Sequence, residues 1–302
     1  MKSVLIIPTY NPGELWKAVL GAIGTQQGAP DRKLVIDSGS SDGTAQLARD
    51  AGFEVITIDK KDFDYGGTRQ MGADLAKDCD LLIYMTQDVV LADQHALANL
   101  LKPFDDPKVG ASYGRQLPRV GATAIETHAR FFNYPPEGHV RDQSDIPKYG
   151  FKCAFFSDAF GAYRRAAHEE IGGFPLKVMF GEDTIAIGHM LTKGWKIAYA
   201  GDAQALHSHG YTIPQEFRRY FDIGVFHDQH HWMLDTFGKL GGEGLKFVKS
   251  ESAYLLKHAP LELPSAWIRT WAKWLGYKAG LKHASLSLKT KRAWSMNRGY
   301  WK

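Results

Sequence analysis

The stretch that decides the fold is Leu81-Leu82-Ile83-Tyr84-Met85-Thr86-Gln87-Asp88. Its first five residues are apolar or aromatic without a break, the pattern of a strand buried on both faces of a sheet. Its last residue is an acid, placed just beyond the strand. Because open α/β sheets bind ligands at the carboxyl ends of their strands, Asp88 is a candidate ligand for a hard cation. A turn or a helix N-cap is the alternative role for Asp88.

Short strand-like and helix-like segments alternate before this strand, over the first 115 residues. Strand patterns at residues 4–7, 34–36 and 55–58 are separated by helix patterns at residues 15–23 and 44–51. A further helix pattern then leads into the central strand. This alternation predicts an α/β fold with a mostly parallel central sheet flanked by helices.

The alternation breaks after about residue 115. Residues 116–150 are rich in Pro, Gly and charge, and a segment of that length predicts a functional insertion or lid. From Pro214 onward the sequence reads as helical. We therefore expect a catalytic domain at 1–230 and a helical C-terminal extension at 231–302. Within the catalytic domain we expect a nucleotide-binding half at 1–115 and an acceptor-binding half at 116–230.

Polar clusters follow the first two predicted strands. Pro8-Thr9-Tyr10-Asn11 stands at the tip of the first, and residues 37–44 form a polar turn at the tip of the second. Their carboxylates and hydroxyls suit a nucleoside, and their backbone amides suit phosphate. A turn built from turn-forming residues explains either cluster alone. As donor-binding candidates we take Pro8, Thr9, Tyr10, Asn11, Asp37, Ser38, Ser40 and Asp42.

A third cluster, Gly66-Gly67-Thr68-Arg69, opens the helix that precedes the central strand. Paired glycines let backbone approach a ligand, a helix start favours an anion, and the arginine adds a guanidinium. The cluster is neither a Walker A motif nor a dinucleotide fingerprint. A glycine-rich helix entry with a surface arginine is the alternative. The donor-side candidates from this region are Gly66, Gly67, Arg69, Gln87 and Asp88.

Two later motifs carry carboxylates and imidazoles. Gly181-Glu182-Asp183 precedes a predicted helix, where acids complement the helix dipole or supply a catalytic base. His207-Ser208-His209 follows a predicted strand, and histidines two residues apart lie on one face of a strand, which suits a metal. Each motif alone fits a structural role as well as a functional one.

The C-terminal segment differs in charge from the rest of the chain. The net charge is +4, yet residues 245–302 hold twelve Lys or Arg against two acids, so the remainder is acidic on balance. The same segment is rich in Trp, and basic residues with interfacial aromatics predict contact with an anionic membrane surface. A solvated basic face or a homodimer contact is the alternative. We expect no nucleic-acid binding, since no recognition motif accompanies the charge.

Cysteine content and hydropathy predict a compartment. Cys79 and Cys153 form no disulfide framework, and no stretch approaches 18 uninterrupted apolar residues. We therefore expect a cytoplasmic protein with reduced thiols, peripheral on the inner face of the cytoplasmic membrane.

In this order, the motifs resemble those of glycosyltransferase family 2, which has the GT-A nucleotide-diphospho-sugar transferase fold. The resemblance covers about residues 3–230. Thr86 is a departure, because the family's Asp-x-Asp metal motif has its first acid at that position. The resemblance implies Mg²⁺ or Mn²⁺ as cofactor and the following roles: Asp37 near the nucleobase, Asp88 as metal ligand, His207 or alternatively His209 as a further ligand, and Asp183 as general base.

Within the family, Phe63-x-x-Gly66-Gly67-Thr68-Arg69, Met85-Thr86-Gln87-Asp88 and the six residues 207–212 resemble the bacterial rhamnosyltransferase branch. That branch implies inverting transfer of L-rhamnose from dTDP-β-L-rhamnose to a glycan or lipid-linked glycan, as in synthesis of O-antigen-type lipopolysaccharide. A UDP- or GDP-sugar donor stays open. So do two other classes, a sugar-1-phosphate nucleotidyltransferase and a non-catalytic sugar-nucleotide-binding protein. On the acceptor side we expect Glu182, Phe180 and Phe160.

Overall fold

Nine strands of the described chain pair into one sheet. The computed structural model describes residues 1–238 and 242–302, so residues 239–241 of the predicted helical extension lie outside the described residues. The strands are β1 (Ser3–Thr9), β2 (Arg32–Asp37), β3 (Glu54–Thr57), β4 (Leu81–Met85), β5 (Val90–Leu91), β6 (Val109–Leu117), β7 (His139–Arg141), β8 (Phe160–Arg164) and β9 (Lys196–Leu206).

The sheet order is β3-β2-β1-β4-β8-β6-β9-β5, and β7 pairs with β9. The four N-terminal strands β1 to β4 run parallel to one another. Strand β8 is antiparallel to both of its neighbours, β4 and β6, whereas β6 and β9 are parallel. The predicted α/β fold is therefore confirmed, but the sheet is mixed rather than mostly parallel. Its parallel part is the N-terminal half, where the strand and helix patterns alternate.

The quoted strand β4 lies between β1 and β8, and all five of its residues are buried. Ile83 and Met85 belong to the main hydrophobic core, together with Leu5, Ile7 and Trp16. A strand covered on both faces needs an unbroken apolar run, which is what this stretch has.

Helices flank the strands and form the C-terminal region. They are α1 (Leu15–Gly24), α2 (Thr44–Asp50), α3 (Tyr65–Leu75), α4 (Ala96–Leu101), α5 (Ala124–Asn133), α6 (Ile146–Tyr149), α7 (Arg165–Glu170), α8 (Glu182–Thr192), α9 (Ile213–Gln229), α10 (His231–Phe237), α11 (Glu243–His258), α12 (Leu263–Gly280) and α13 (Leu288–Trp294). The predicted insertion at 116–150 thus holds secondary structure of its own. None of the described helices has the length and apolar character needed to cross a membrane.

The chain packs as two units. The first contains the sheet and consists of Met1–Leu117, Tyr134–Val178 and Glu182–His207. The second is helical and consists of Pro118–Asn133, Met179–Gly181 and Ser208–Lys302. The helical unit therefore takes in more of the chain than the extension predicted at 231–302, including all of α5 and α9.

Inside the helical unit, α9 and α12 pack closely through glycines. A Cβ on Gly276 would lie 2.2 Å from the carbonyl oxygen of Phe217, and one on Gly280 would lie 2.1 Å from that of Phe221. Both separations are far below van der Waals contact. Only residues without a side chain allow the two backbones this approach.

Candidate active site

The tips of β1 and β2 are joined through Asp37. This carboxylate is 1% exposed, and its Oδ1 accepts hydrogen bonds from the hydroxyls of Thr9 (2.9 Å) and Ser40 (2.6 Å). Its Oδ2 accepts one from the Ser40 backbone N–H at 2.9 Å. Asp37 is thus a buried anchor that orders both strand tips. A direct contact with a nucleobase stays a prediction.

Asn11 extends this linkage along the rim of the sheet. It adopts a left-handed backbone conformation (φ +44°), which asparagine tolerates better than most residues. Its N–H donates to the Ser40 hydroxyl, and its Oδ1 accepts from the Ser41 N–H, both at 2.9 Å. Asp42 in turn accepts from the Gly13 N–H at 3.0 Å. The two clusters identified separately in the sequence therefore form one connected rim.

Gln87 fastens the end of β4 to the same rim. Its Oε1 accepts from the Tyr10 backbone N–H at 2.6 Å, and its Nε2 donates to the Tyr10 carbonyl at 3.2 Å. The Tyr10 ring is exposed, with the Lys60 ammonium 4.1 Å from its centroid. Gln87, which is predicted to bind the sugar donor, therefore holds the backbone of Tyr10, another predicted donor-binding residue.

Asp88 and His207 lie together at the ends of β4 and β9. The His207 Nε2 is 3.3 Å from the Asp88 Oδ2, and each residue offers a metal-ligating atom. Thr86, which stands in place of the family's first acid, donates its hydroxyl to the Asp88 Oδ1 at 2.7 Å. It therefore orients the remaining carboxylate. His209 belongs to the helical unit, and its role as alternative ligand stays a prediction.

Gln116 sets the orientation of the His207 ring. Its Oε1 lies 2.8 Å from the His207 Nδ1, while its own Nε2 donates to the Ser157 hydroxyl at 2.9 Å. Because an amide oxygen only accepts, the Nδ1 carries a proton, and in the neutral form of the ring the lone pair of Nε2 faces Asp88. A lone pair facing a carboxylate at this distance is stabilised by a cation between them. These residues therefore fit a divalent metal.

Asp183 is fixed in the first turn of α8. Its Oδ1 accepts from the Thr184 N–H at 2.6 Å, and its Oδ2 accepts from the Asp158 N–H at 3.2 Å. The residue is half-buried, so its carboxylate is held by backbone donors and is still partly open to solvent. This is an arrangement that a positioned general base requires.

Beside Asp183, Arg69 joins two buried carboxylates. Its Nη1 lies 2.9 Å from the Glu182 Oε1, and its Nε lies 3.2 Å from the Asp158 Oδ2. All three side chains are less than a tenth exposed. Burial raises the pKa of Glu182 and that of Asp158, and the Arg69 guanidinium opposes both shifts.

The predicted contact of Arg69 with the donor is therefore wrong for this structure, since its guanidinium is interior and engaged. The same holds for Glu182 on the acceptor side, because its carboxylate faces Arg69. Asp158 was missed from the sequence. The signal that could have found it is a single acid within the aromatic run of residues 155–160, just before an apolar strand.

The carboxylate of Asp64 caps the N-terminus of α3. The Asp64 Oδ2 accepts from the Gly67 N–H at 2.7 Å and from the Lys177 N–H at 3.1 Å. A Cβ on Gly66 would lie 1.8 Å from the carbonyl oxygen of Pro175. The two glycines thus serve an N-cap and a close backbone packing, and their approach to a donor phosphate stays a prediction.

The two aromatic candidates for the acceptor side differ in position. Phe160 is fully buried in the main core, so its predicted stacking on an acceptor sugar is wrong. Phe180 is half-buried in the helical unit, with its ring centroid 5.4 Å from that of Phe226. Its contact with an acceptor stays a prediction.

The sheet topology and the connected rim of polar residues at the strand ends fit a glycosyltransferase of the GT-A fold, with the aspartate–histidine pair and Asp183 as candidate site residues. The chain belongs to glycosyltransferase family 2, since the model described as "Glycosyl transferase family 2" matches residues 4–172.

Two relatives match over nearly the whole length. The O-antigen chain rhamnosyltransferase RfbN of Salmonella typhimurium is 48% identical over 302 residues, which is 100% of this chain and 96% of the relative. The O-antigen chain rhamnosyltransferase WbaN of Salmonella anatum is 43% identical over 298 residues, or 98% and 95% of the two chains.

Solved structures support the fold assignment. A mannosyltransferase of Pyrobaculum calidifontis, in complex with GDP-Man and Mn²⁺, is similar with a TM-score of 0.57 at 20% identity, covering 99% of this chain and 84% of that one. Residues 1–349 of TarS of S. aureus, in complex with UDP-GlcNAc, give 0.54 at 14% identity, covering 94% and 91%. At such identities the likeness concerns the fold alone.

Proposed function

We propose that this enzyme transfers L-rhamnose, with inversion, from dTDP-β-L-rhamnose to a hydroxyl of a glycan or lipid-linked glycan during synthesis of an O-antigen-type polysaccharide. The observation that carries the proposal is the Asp88–His207 pair, held by Thr86 and Gln116 at the end of the rim of Asp37 and Tyr10. The names of the two full-length relatives support rhamnose as the sugar and an O-antigen chain as the product.

Asp88 and His207 are the residues that would hold Mg²⁺ or Mn²⁺. When bound, the cation supplies positive charge against the diphosphate of the leaving group. Thr86 and Gln116 each hold one of these two side chains by a hydrogen bond and so orient it. The rim residues order the backbone on which the nucleoside would rest.

Asp183 is the proposed general base. It accepts the proton of the acceptor hydroxyl while that oxygen forms a bond to the anomeric carbon. The bond from that carbon to the donor phosphate oxygen breaks, and its electron pair leaves with the nucleoside diphosphate. Attack opposite the leaving group inverts the anomeric centre, so a β-linked donor gives an α-linked product.

Replacing Asp183 with asparagine tests this role. The amide keeps the acceptor for the Asp158 N–H but cannot take a proton, so we expect turnover to fall by about 10²–10⁴-fold. Binding of dTDP should change little. The exposed Asp235→Asn serves as matched control. Near-normal turnover of the Asp183→Asn variant would remove Asp183 from the role.

The donor is tested by calorimetry with dTDP, UDP and GDP, each with Mg²⁺ or Mn²⁺. Preference for dTDP supports the rhamnose donor, whereas preference for UDP or GDP supports another donor of the same family. The product of turnover separates the classes of enzyme. Release of the nucleoside diphosphate marks a glycosyltransferase, and release of pyrophosphate marks a nucleotidyltransferase.

We also propose that residues 245–302 place the enzyme on an anionic membrane surface at the cytoplasmic face, where a polyprenol-linked acceptor would be met. The support is the excess of Lys and Arg over acids together with the Trp residues of this segment. Co-sedimentation with anionic vesicles at low salt is the test. A protein that stays in the supernatant under these conditions contradicts the proposal.

A further inference from the structure

Helix α12 turns its apolar side outward. Trp267, Ile268, Trp271, Trp274 and Leu275 are each 51–64% exposed. Their spacing of one, four, seven and eight residues from the first places them on one face of the helix. The Trp271 and Trp274 rings pack edge to face, 5.7 Å apart, so the face is a continuous apolar patch.

Two of the three basic residues of the same helix, Arg269 and Lys273, turn inward, whereas Lys278 is exposed. The Lys273 Nζ lies 3.5 Å and the Arg269 Nη1 lies 3.9 Å from the Oε1 of Glu216 on α9. Arg269 also donates to the Tyr211 carbonyl. Most surface helices of soluble proteins have the reverse pattern, with charges outside and apolar groups inside. An exposed patch of this kind marks a surface that meets an apolar or interfacial partner.

The net charge of the segment that contains α12 favours one kind of partner. Residues 263–302 contain nine Lys or Arg and no acid, and Lys278, Lys282, Lys289 and Arg292 are exposed. A second copy of the chain would place two strongly basic surfaces against each other, which is repulsive. An anionic bilayer satisfies both features, because Trp prefers the headgroup region and Lys and Arg are attracted to the anionic lipids.

We infer that α12 lies flat in the interface of an anionic bilayer, with Trp267, Trp271 and Trp274 inserted among the headgroups. At about 1.5 Å per residue its 18 residues form a rod of roughly 27 Å along the surface. This inference rests on the proposed contact of residues 245–302 with a membrane and assigns that contact to one helix face.

The test is co-sedimentation of the full chain with phosphatidylcholine vesicles containing about one third phosphatidylglycerol. Trp271→Ser/Trp274→Ser removes two exposed rings, and we expect the partition coefficient to fall about tenfold or more. Ile268→Asp places an anion on the same face and should act similarly. Leu176→Asp, an equally exposed apolar site on the sheet-containing unit, is the matched control and should bind as the wild type does.

Three results would overturn the inference: no binding by the wild type, unchanged binding by both α12 variants, or a wild-type dimer that the α12 variants dissociate. The dimer is detected by light scattering without vesicles. Calorimetric binding of dTDP with Mn²⁺, also without vesicles, tests the proposed enzymatic function separately. Both α12 variants should keep that binding, because the altered side chains are exposed.

Discussion

Replacing Arg69 with methionine tests whether one buried cation holds two carboxylates in place. In the native structure Arg69 reaches Glu182 at 2.9 Å and Asp158 at 3.2 Å, and neither acid is more than 4% exposed. Methionine has a similar length and no charge, so the substitution leaves both carboxylates in the interior without a counterion. Breaking a buried pair in this way costs about 3–5 kcal/mol of unfolding free energy.

Glu182→Gln should cost far less. The amide oxygen still accepts a hydrogen bond from Arg69, and the Arg69–Asp158 pair becomes neutral overall, so we expect a loss of about 1 kcal/mol or less. In the double variant, Glu182→Gln removes one of the two carboxylates that Arg69→Met leaves without a counterion. The double variant should therefore be more stable than Arg69→Met alone, which is a non-additive result.

The pH dependence follows from the direction of the pKa shifts. Burial raises the pKa of Glu182 and Asp158, and loss of Arg69 removes the interaction that opposes this. An acid with a raised folded-state pKa stabilises most when it is protonated, and this stabilisation is lost as pH rises through that pKa. The Arg69→Met variant should therefore be least stable at high pH, and its free energy of unfolding should rise as the pH falls.

Thermal unfolding followed by circular dichroism at pH 5 and pH 8 measures these effects. A loss of 3–5 kcal/mol corresponds to a Tm lower by roughly 10 °C for a chain of this size. Arg69→Met and Glu182→Gln with equal Tm values would refute the reasoning, and so would an Arg69→Met loss that is the same at both pH values. In either case the contacts of Arg69 with Glu182 and Asp158 would not stabilise the fold.

Three further predictions concern the metal pair, the packing of α12 against α9, and Asp222, a buried acid on α9. Gln116→Leu removes the acceptor that orients His207, so Mn²⁺ affinity measured by calorimetry should fall about 10–100-fold, with unchanged affinity as the contrary result. Gly280→Ala should lower the unfolding free energy by about 1–3 kcal/mol because its Cβ meets a backbone oxygen; Gly244→Ala, with open space around it, should not lower it. Burial raises the pKa of Asp222 to about 6, so its contribution is present below pH 3.8 and is lost as pH rises through 6. In the wild type this change of protonation should lower the free energy of unfolding by about 3 kcal/mol between pH 3.8 and pH 6. Asp222→Asn should remove that dependence, as measured by urea unfolding from about pH 4 to about pH 8.

Much of the candidate site could be read from local sequence. The apolar run of β4 predicted a buried central strand, and its end placed Asp88 correctly at the rim of the sheet. Turn-forming residues after β1 and β2 located the rim itself. These predictions succeed because a strand's position and its end depend on periodicity within a few residues.

For Arg69, Glu182 and Phe160, local sequence did not predict the position of the side chain. Each was assigned to a ligand because its residue type and its neighbours suit that chemistry, yet all three are buried. Whether a side chain faces solvent or another segment depends on what packs against it, and that segment is distant in sequence. Arg69 meets its two partners only because α3, α8 and the loop before β8 converge in the fold.

The sequence by itself determined the α/β fold, the family, the order of the motifs and the basic, Trp-rich C-terminal segment, since all of these follow from local pattern and composition. The tertiary structure alone decided that Gln116 orients His207, 91 residues away, and that Asp158 supports Asp183. It alone also decided that α12 carries its tryptophans outside. Hydrogen bonds and burial of this kind join residues that are far apart along the chain, and local periodicity carries no information about them.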